Sequence, residues 1–224
     1  MSNFRFTRMD RFPPVVKNLI IINILVWVAQ LIYDRTEGSL TMFLASKLAL
    51  YPVSDPAFEP YQIATHMFAH ASYSGNIYNY HIVFFHILFN MFGLYMFGRI
   101  LENVWGHKRF LIFYLACGIG AAAAHLIMQA VLNDSSPAVG ASGAVMGIFV
   151  AFGYLFPNTE LMIIPIPIPI KAKWVVIFYI LIDLFGGFGN IAGDNIAHFA
   201  HLGGALTGFL IVYFWNKTNR RTLY

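Results

Sequence analysis

Long apolar runs separated by short polar segments make up most of the chain. Each run is close to the length of about 20 residues that a helix needs to cross a bilayer. The runs predict six membrane-spanning helices, at 15–33, 82–101, 110–132, 138–156, 174–189 and 196–215. The pattern therefore predicts an all-α polytopic membrane protein, with one six-helix domain over 15–216 and polar tails at 1–14 and 217–224.

Two connections do not fit the pattern of a spanning helix. The segment 34–80 is rich in Tyr and Phe and is interrupted by Pro52, Pro56 and Pro60. Aromatic side chains favour the headgroup zone, so we expect an interfacial, partly helical external segment. The run I-P-I-P-I-P-I at 164–170 cannot be helical, because alternate prolines remove backbone donors.

Composition supports a membrane location. Hydrophobic residues make up 58% of the chain, charged residues only 11%, and the mean hydropathy is +0.65. A water-soluble domain of this size could not bury so much apolar surface. The first run could also be a cleaved signal peptide, but no small-x-small cleavage site follows it. Cys117 is the only cysteine, so no intrachain disulfide is expected.

The basic residues predict the topology. If the N-terminus is cytoplasmic, alternate connections place every Lys and Arg except Arg35 and Lys47 on the cytoplasmic side, out of 14. The positive-inside rule thus supports six spans with both termini in the cytoplasm. The net charge of +4 reports this topology, and we expect no nucleic-acid partner. The predicted location is the bacterial inner membrane.

Four polar side chains fall at a similar depth in three of the predicted spans. At about 1.5 Å per residue, Ser142, His86 and His201 lie about 6 to 8 Å below the outer edge, and Asn90 about 12 Å. Polar groups within spans are costly and rare, so such a set indicates a functional site. The structural alternative is that these groups only bond to neighbouring helices.

Strips of small residues predict which helices touch. Gly143 and Gly147 lie on one face of the fourth span, and Gly204 and Gly208 form a G-x-x-x-G on the sixth. Such strips let helix backbones approach closely. They would bring Ser142 and His201 together.

This combination suits nucleophilic catalysis. A serine hydroxyl needs an adjacent base, and histidine serves that purpose near neutral pH. Backbone N–H groups at the start of the fourth helix and the Asn90 amide could then stabilise an oxyanion.

Three segments of the chain resemble motifs of the rhomboid family of intramembrane serine proteases. They are H-I-L-F-N from His86, G-A-S-G around Ser142 and A-H-L-G-G-A-L-T-G around His201. The resemblance implies that Ser142 is the nucleophile and His201 the base. It also implies an oxyanion hole of His86, Asn90 and the Ser142 N–H, membrane-anchored protein substrates, and no metal or cofactor.

The chain departs from the family pattern in its external segment. Many relatives have Trp-Arg where this chain has Tyr61-Gln62, and residues 71–80 resemble an insertion. Relatives are thought to admit substrate near the fifth span, so we expect access near 185–195.

The sequence favours a Ser-His dyad. His198 and His201 share a helical face, but the estimated depth and the glycine spacing favour His201 as the base. Asp183 lies on another span, and we expect no carboxylate inside the cluster. Asp183→Asn should then change the rate less than about tenfold.

The sequence leaves three alternative functions. The first is a catalytically inactive rhomboid-like protein with a binding or quality-control role. The second is a metal- or haem-binding membrane protein, since the chain has eight histidines, although we expect no Cys or carboxylate beside them. The third is a transporter, which the lack of paired acidic residues disfavours. The sequence predicts no particular oligomeric state.

Overall fold

The computed structural model describes residues 10–36, 39–40, 42–75, 79–163, 166–189 and 195–218. Most of the predicted N-terminal tail, with Arg5 and Arg8, lies outside the described residues, as do Arg220 and Arg221 of the C-terminal tail. So do residues 76–78 of the insertion-like stretch and 190–194 of the predicted access region.

The protein is mostly helical, as the sequence predicts. Its helices are α1 (Pro14–Tyr33), α2 (Phe43–Leu48), α3 (Gln62–Thr65), α4 (Phe85–Gly93), α5 (Arg99–Trp105), α6 (His107–Leu132), α7 (Ser142–Leu155), α8 (Ala172–Gly189) and α9 (Asn195–Thr218). A π-helical turn, Leu94–Gly98, joins α4 to α5. The predicted second span, 82–101, is therefore helical only from Phe85 onward, with a local change of winding, and Ile82 lies in a β-strand instead.

Three of the described helices are long and apolar enough to cross a membrane: Pro14–Tyr33, His107–Leu132 and His198–Lys217 within α9. Helix α7 is apolar but shorter, at 14 residues. The chain is thus a membrane protein with several apolar helices, and the count of six spans stays a prediction.

In the part of the chain that the structure describes, three short antiparallel ribbons connect helices. They pair β1 (Arg35–Thr36) with β2 (Ser39–Leu40), β3 (Tyr73–Gly75) with β4 (Tyr80–Ile82), and β5 (Glu160–Ile163) with β6 (Ile166–Lys171). Strand β6 contains most of the Ile-Pro repeat, so the expectation that this run is not helical is confirmed.

The fourth predicted span begins later than expected. The sequence placed its start at 138, whereas α7 begins at Ser142. The preceding backbone bonds to the external segment instead: Ala138 and Leu50 exchange two hydrogen bonds of 2.9 and 3.0 Å. Gly140 donates its N–H to the His66 carbonyl at 2.8 Å, with a φ of +126° that suits glycine. These contacts place Ser142 at the first turn of the helix.

Helix α9 packs against α6, α7 and α8. Its approach to α7 is close, because a methyl group built on Gly204 would overlap the backbone of Gly143. One built on Gly208 would lie 2.7 Å from Gly147 Cα. Side chains larger than hydrogen would therefore push the two helices apart.

Buried polar side chains hold the external segment on the bundle. Gln30 of α1 and the backbone of His70 exchange two hydrogen bonds of 3.0 Å. Asp34 accepts hydrogen bonds from the Leu44 and Ala45 N–H groups at 2.5 and 2.9 Å. Gln62, at the position where the chain departs from the family pattern, is buried and donates to the Ala57 carbonyl at 2.9 Å. The segment is therefore a packed part of the protein.

Candidate active site

Ser142 and His201 meet where α7 and α9 come closest. The Ser142 Oγ lies 2.9 Å from His201 Nε2. This distance follows from the neighbouring contact of Gly143 with Gly204, which leaves no side chain between the two backbones. The structure places the two residues in the hydrogen-bonding arrangement that a nucleophile and its base require.

A carboxylate lies on the other side of His201. Asp183 Oδ1 is 3.0 Å from His201 Nδ1, and the aspartate is only 5% exposed. The expectation that no carboxylate enters the cluster is therefore wrong. A carboxylate can only accept, so Nδ1 carries the proton and Nε2 is left to accept from the Ser142 hydroxyl.

The same carboxylate oxygen binds a second histidine. His198 Nδ1 lies 2.8 Å from Asp183 Oδ1, and His198 makes no recorded contact with Ser142 among the described residues. Gly186 provides room for this ring, since a methyl group there would lie 2.6 Å from His198 Nε2. The G-G pair at 186–187 is helical within α8 and gives close approach to α9.

His86 faces the serine from α4. A methyl group built on Gly140 would lie 3.0 Å from His86 Nε2 and 3.7 Å from Ser142 Oγ, so both groups border the same small space. The Ala71 N–H donates to His86 Nδ1 at 3.3 Å. This contact favours the tautomer with a proton on Nε2, which can donate toward the space beside Ser142.

Asn90 lies one turn below His86. It is 6% exposed, and its Nδ2 donates to the His86 carbonyl at 2.9 Å. The structure records no contact between Asn90 and Ser142. The predicted oxyanion role of Asn90 stays a prediction, and its hydrogen bond to the helix backbone limits how its amide can turn.

A cavity of about 310 Å³ opens beside the serine. Its lining includes Ser142, His201, Gly140, His66, His125 and Asp134. Burial lowers the pKa of His66 to about 4, so this histidine is neutral near pH 7. The space next to the nucleophile is therefore bordered on one side by an uncharged imidazole and elsewhere by mostly small side chains.

Two residues of this site were missed by reasoning from the sequence. Asp183 carried a usable signal, because it is an acidic residue inside a predicted span, where charges are costly. Gly140 carried a weaker one, since its positive φ follows from bonds to the external segment that a sequence pattern does not reveal.

Most of the chain matches a known protein family: residues 57–217 match the Rhomboid domain. This region contains every residue of the site described above. It begins inside the external segment and ends within the last turns of α9.

Individual relatives are similar over shorter stretches. "Rhomboid protein 1, mitochondrial" of Saccharomyces cerevisiae is 31% identical over 61% of this chain and 40% of its own length. "Rhomboid protease GluP" of Bacillus subtilis is 35% identical over 58% of this chain and 23% of its own. "Rhomboid-like protein 11, chloroplastic" of Arabidopsis thaliana is 28% identical over 70% of this chain and 53% of its own length. The chain thus spans about half or less of the length of these relatives.

Proposed function

Because the chain belongs to the rhomboid family, we propose that it is an intramembrane serine endopeptidase that cleaves membrane-anchored proteins in or near their transmembrane segments. One observation carries the proposal: the 2.9 Å contact between Ser142 Oγ and His201 Nε2 at the start of an apolar helix. A relative in Bacillus subtilis carries the name of a protease, which agrees with this assignment.

In the proposed reaction, His201 Nε2 takes the proton of the Ser142 hydroxyl as Oγ attacks the carbonyl carbon of the scissile bond. The carbonyl oxygen becomes an oxyanion, which the Ser142 N–H, His86 Nε2–H and Asn90 amide stabilise. The intermediate collapses, and His201 returns the proton to the leaving amine. Water then hydrolyses the acyl-enzyme with His201 again as the base.

Asp183 is a positioning residue in this mechanism. A Ser-His pair with an orienting carboxylate thus replaces the simple dyad expected from the sequence. Its carboxylate holds the proton of His201 on Nδ1 and favours the imidazolium that forms during attack. Since Oδ1 is shared with His198, the orienting effect on His201 is weaker than that of an undivided carboxylate. The proposal is a Ser-His pair oriented by an aspartate.

The proposal includes a six-span arrangement with both termini on the same side of the membrane, as the distribution of basic residues favours. The partners are membrane-anchored substrates and the lipid bilayer. For the compartment, the bacterial inner membrane predicted from the sequence is one candidate. Organelle membranes are the other, because several relatives carry mitochondrial or chloroplastic names. Fractionation of cells that express the chain naturally distinguishes the two.

The activity is tested with purified full-length protein, reconstituted in liposomes with a fluorescent protein anchored by one transmembrane helix. We expect time-dependent cleavage that a serine-directed inhibitor blocks and that a chelator leaves unchanged, since no Lewis acid takes part. Ser46→Ala, a serine change outside the cavity, is the matched control and should cleave normally. Cleavage that a chelator abolishes and zinc restores would contradict the proposal.

A further inference from the structure

Asp183, His198 and His201 bring three metal-ligating atoms together between α8 and α9. Each residue offers one ligand atom, and these atoms all lie within 4.8 Å of one another. Each imidazole approaches the carboxylate through its own Nδ1. The Nδ1 to Oδ1 distances are 2.8 Å for His198 and 3.0 Å for His201. The sequence predicts no carboxylate beside the histidines, and this prediction is wrong.

The second carboxylate oxygen of Asp183 is a further observation that favours a bound ion. Oδ2 is buried and has no hydrogen-bond partner among the residues that the structure describes. Buried carboxylate oxygens are normally paired, because leaving one without a partner costs free energy. A cation beside the carboxylate would compensate that cost. The histidine side chains are 24% and 27% exposed, so a small ion can reach the cluster from outside.

From these contacts we propose that Asp183, His198 and His201 bind a divalent transition-metal ion, with Zn²⁺ as the best match, and that the bound ion inhibits the protease. Two imidazole nitrogens and one carboxylate oxygen are a common ligand set for zinc, with water completing the coordination. Magnesium and calcium prefer oxygen ligands and fit the cluster less well. The inhibitory half of this inference rests on the proposed function, and the binding half does not.

Binding one ion requires the three ligand atoms to move closer to tetrahedral spacing. Two ligands bound tetrahedrally to zinc at about 2.0 to 2.1 Å lie roughly 3.4 Å apart. The observed nitrogen-to-oxygen separations of 2.8 and 3.0 Å must therefore widen by about half an ångström. The two imidazole nitrogens, which lie within 4.8 Å of each other, must at the same time close toward the same separation of roughly 3.4 Å, and rotation of the imidazole rings is the change that would bring them together.

Inhibition follows from the proton positions. Without the ion, His201 carries its proton on Nδ1, and Nε2 accepts from the Ser142 hydroxyl. A metal ion takes the Nδ1 lone pair of the neutral ring, so the proton moves to Nε2. Nε2–H then donates to Ser142 Oγ and can no longer accept its proton. The serine loses its base while all the protein groups stay in place.

Binding is measured by visible absorption of Co²⁺ added to the full-length Ser142→Ala protein, purified in detergent without a polyhistidine tag. We expect absorption bands of four- or five-coordinate cobalt that Zn²⁺ removes by competition. The bands should be lost when His198→Ala is added to this background. They should be kept with His107→Ala, which removes a histidine that pairs with a different carboxylate.

Inhibition is measured with the Ser142-containing protein and the transmembrane substrate. Zn²⁺ should slow cleavage, a chelator should restore it, and His198→Ala should raise the half-inhibitory zinc concentration at least about tenfold, while His107→Ala leaves it unchanged. The absence of cobalt bands overturns the site, and bands with zinc-insensitive cleavage overturn the inhibition. A protein that binds cobalt but cleaves nothing contradicts the proposed function and leaves the metal site supported.

Discussion

Two buried carboxylates in this protein each contact a histidine Nδ1, and the two pairs differ in their surroundings. Asp183 lies 3.0 Å from His201 Nδ1 between α8 and α9, and Glu102 lies 2.6 Å from His107 Nδ1 where α5 meets α6. Both acidic residues are at least 95% buried. By the burial of the acidic residue alone, the two pairs could not be told apart.

The rest of each environment separates them. Both oxygens of Glu102 are occupied, because they accept the N–H groups of Val15 and Val16 at 2.9 and 2.7 Å. Those groups belong to the first turn of α1, which has no side-chain cap of its own. Glu102 therefore caps a distant helix, and the His107 side chain is 64% exposed. This pair stabilises the fold.

The Asp183 pair has different contacts. The second nitrogen of His201 contacts a serine hydroxyl, and the second oxygen of Asp183 has no partner among the described residues. In the proposed mechanism, such a pair acquires its catalytic role from the group that contacts the second imidazole nitrogen, here the Ser142 hydroxyl. The following predictions test that distinction, beginning with the largest effect.

Ser142→Ala removes the hydroxyl that contacts His201 Nε2 and should lower the cleavage rate by at least about 10³-fold. The loss should occur without a change in folding, because the hydroxyl serves the reaction. Initial rates in liposomes and thermal unfolding of the same preparation measure both quantities. Cleavage near the wild-type rate would remove Ser142 from the mechanism.

Asp183→Asn should lower kcat about 10²-fold, a barrier increase of about 2.7 kcal/mol, with little change in KM. An amide N–H facing Nδ1 would leave the proton on Nε2, where it blocks the serine. Asp183→Glu should recover part of the rate, which a purely structural role would not predict. A change under tenfold would restore the dyad that the sequence favoured.

His198→Ala should change the cleavage rate less than about threefold, because His198 shares the carboxylate without contacting Ser142. His201→Ala, its partner on the same helix, should be inactive. Measuring both variants side by side tests which histidine is the base. An inactive His198→Ala beside an active His201→Ala would reverse the assignment.

Glu102→Gln should have the smallest effect on the reaction and a clear effect on stability. Losing a charge-assisted hydrogen bond to the start of α1 should cost about 1 to 3 kcal/mol of stability. The rate per folded molecule should stay the same. Thermal unfolding and active-site titration separate the two quantities, and a slower rate in the folded fraction would show that the two pairs are alike.

Local patterns in the sequence were sufficient for the long helices α1 and α6 and for the contact between two of the site residues. The long apolar runs predicted α1 and α6 within a few residues. A run that crosses the bilayer must satisfy its backbone hydrogen bonds internally, so it forms a helix. The glycine strips predicted the α7–α9 contact that brings Ser142 and His201 together.

Features that depend on contacts between distant segments were not predictable in the same way. The late start of α7 comes from Leu50 bonding to Ala138, and no periodicity signals that pairing. Asp183 is an intermediate case. At about 1.5 Å per residue it lies about 9 Å from the predicted outer end of its span, the layer of Ser142. Applying the depth argument to the fifth span would have placed it in the cluster.

The central claim is that His201, oriented by Asp183, activates Ser142. It is tested most directly by the rate at which a fluorophosphonate probe modifies Ser142, with the modified peptide identified by mass spectrometry. We predict equal rates for the wild type and Glu102→Gln, a rate at least about 30-fold lower for Asp183→Asn, and no modification of Ser142→Ala. Equal modification of the wild type and Asp183→Asn, or a label on another residue, would contradict the account.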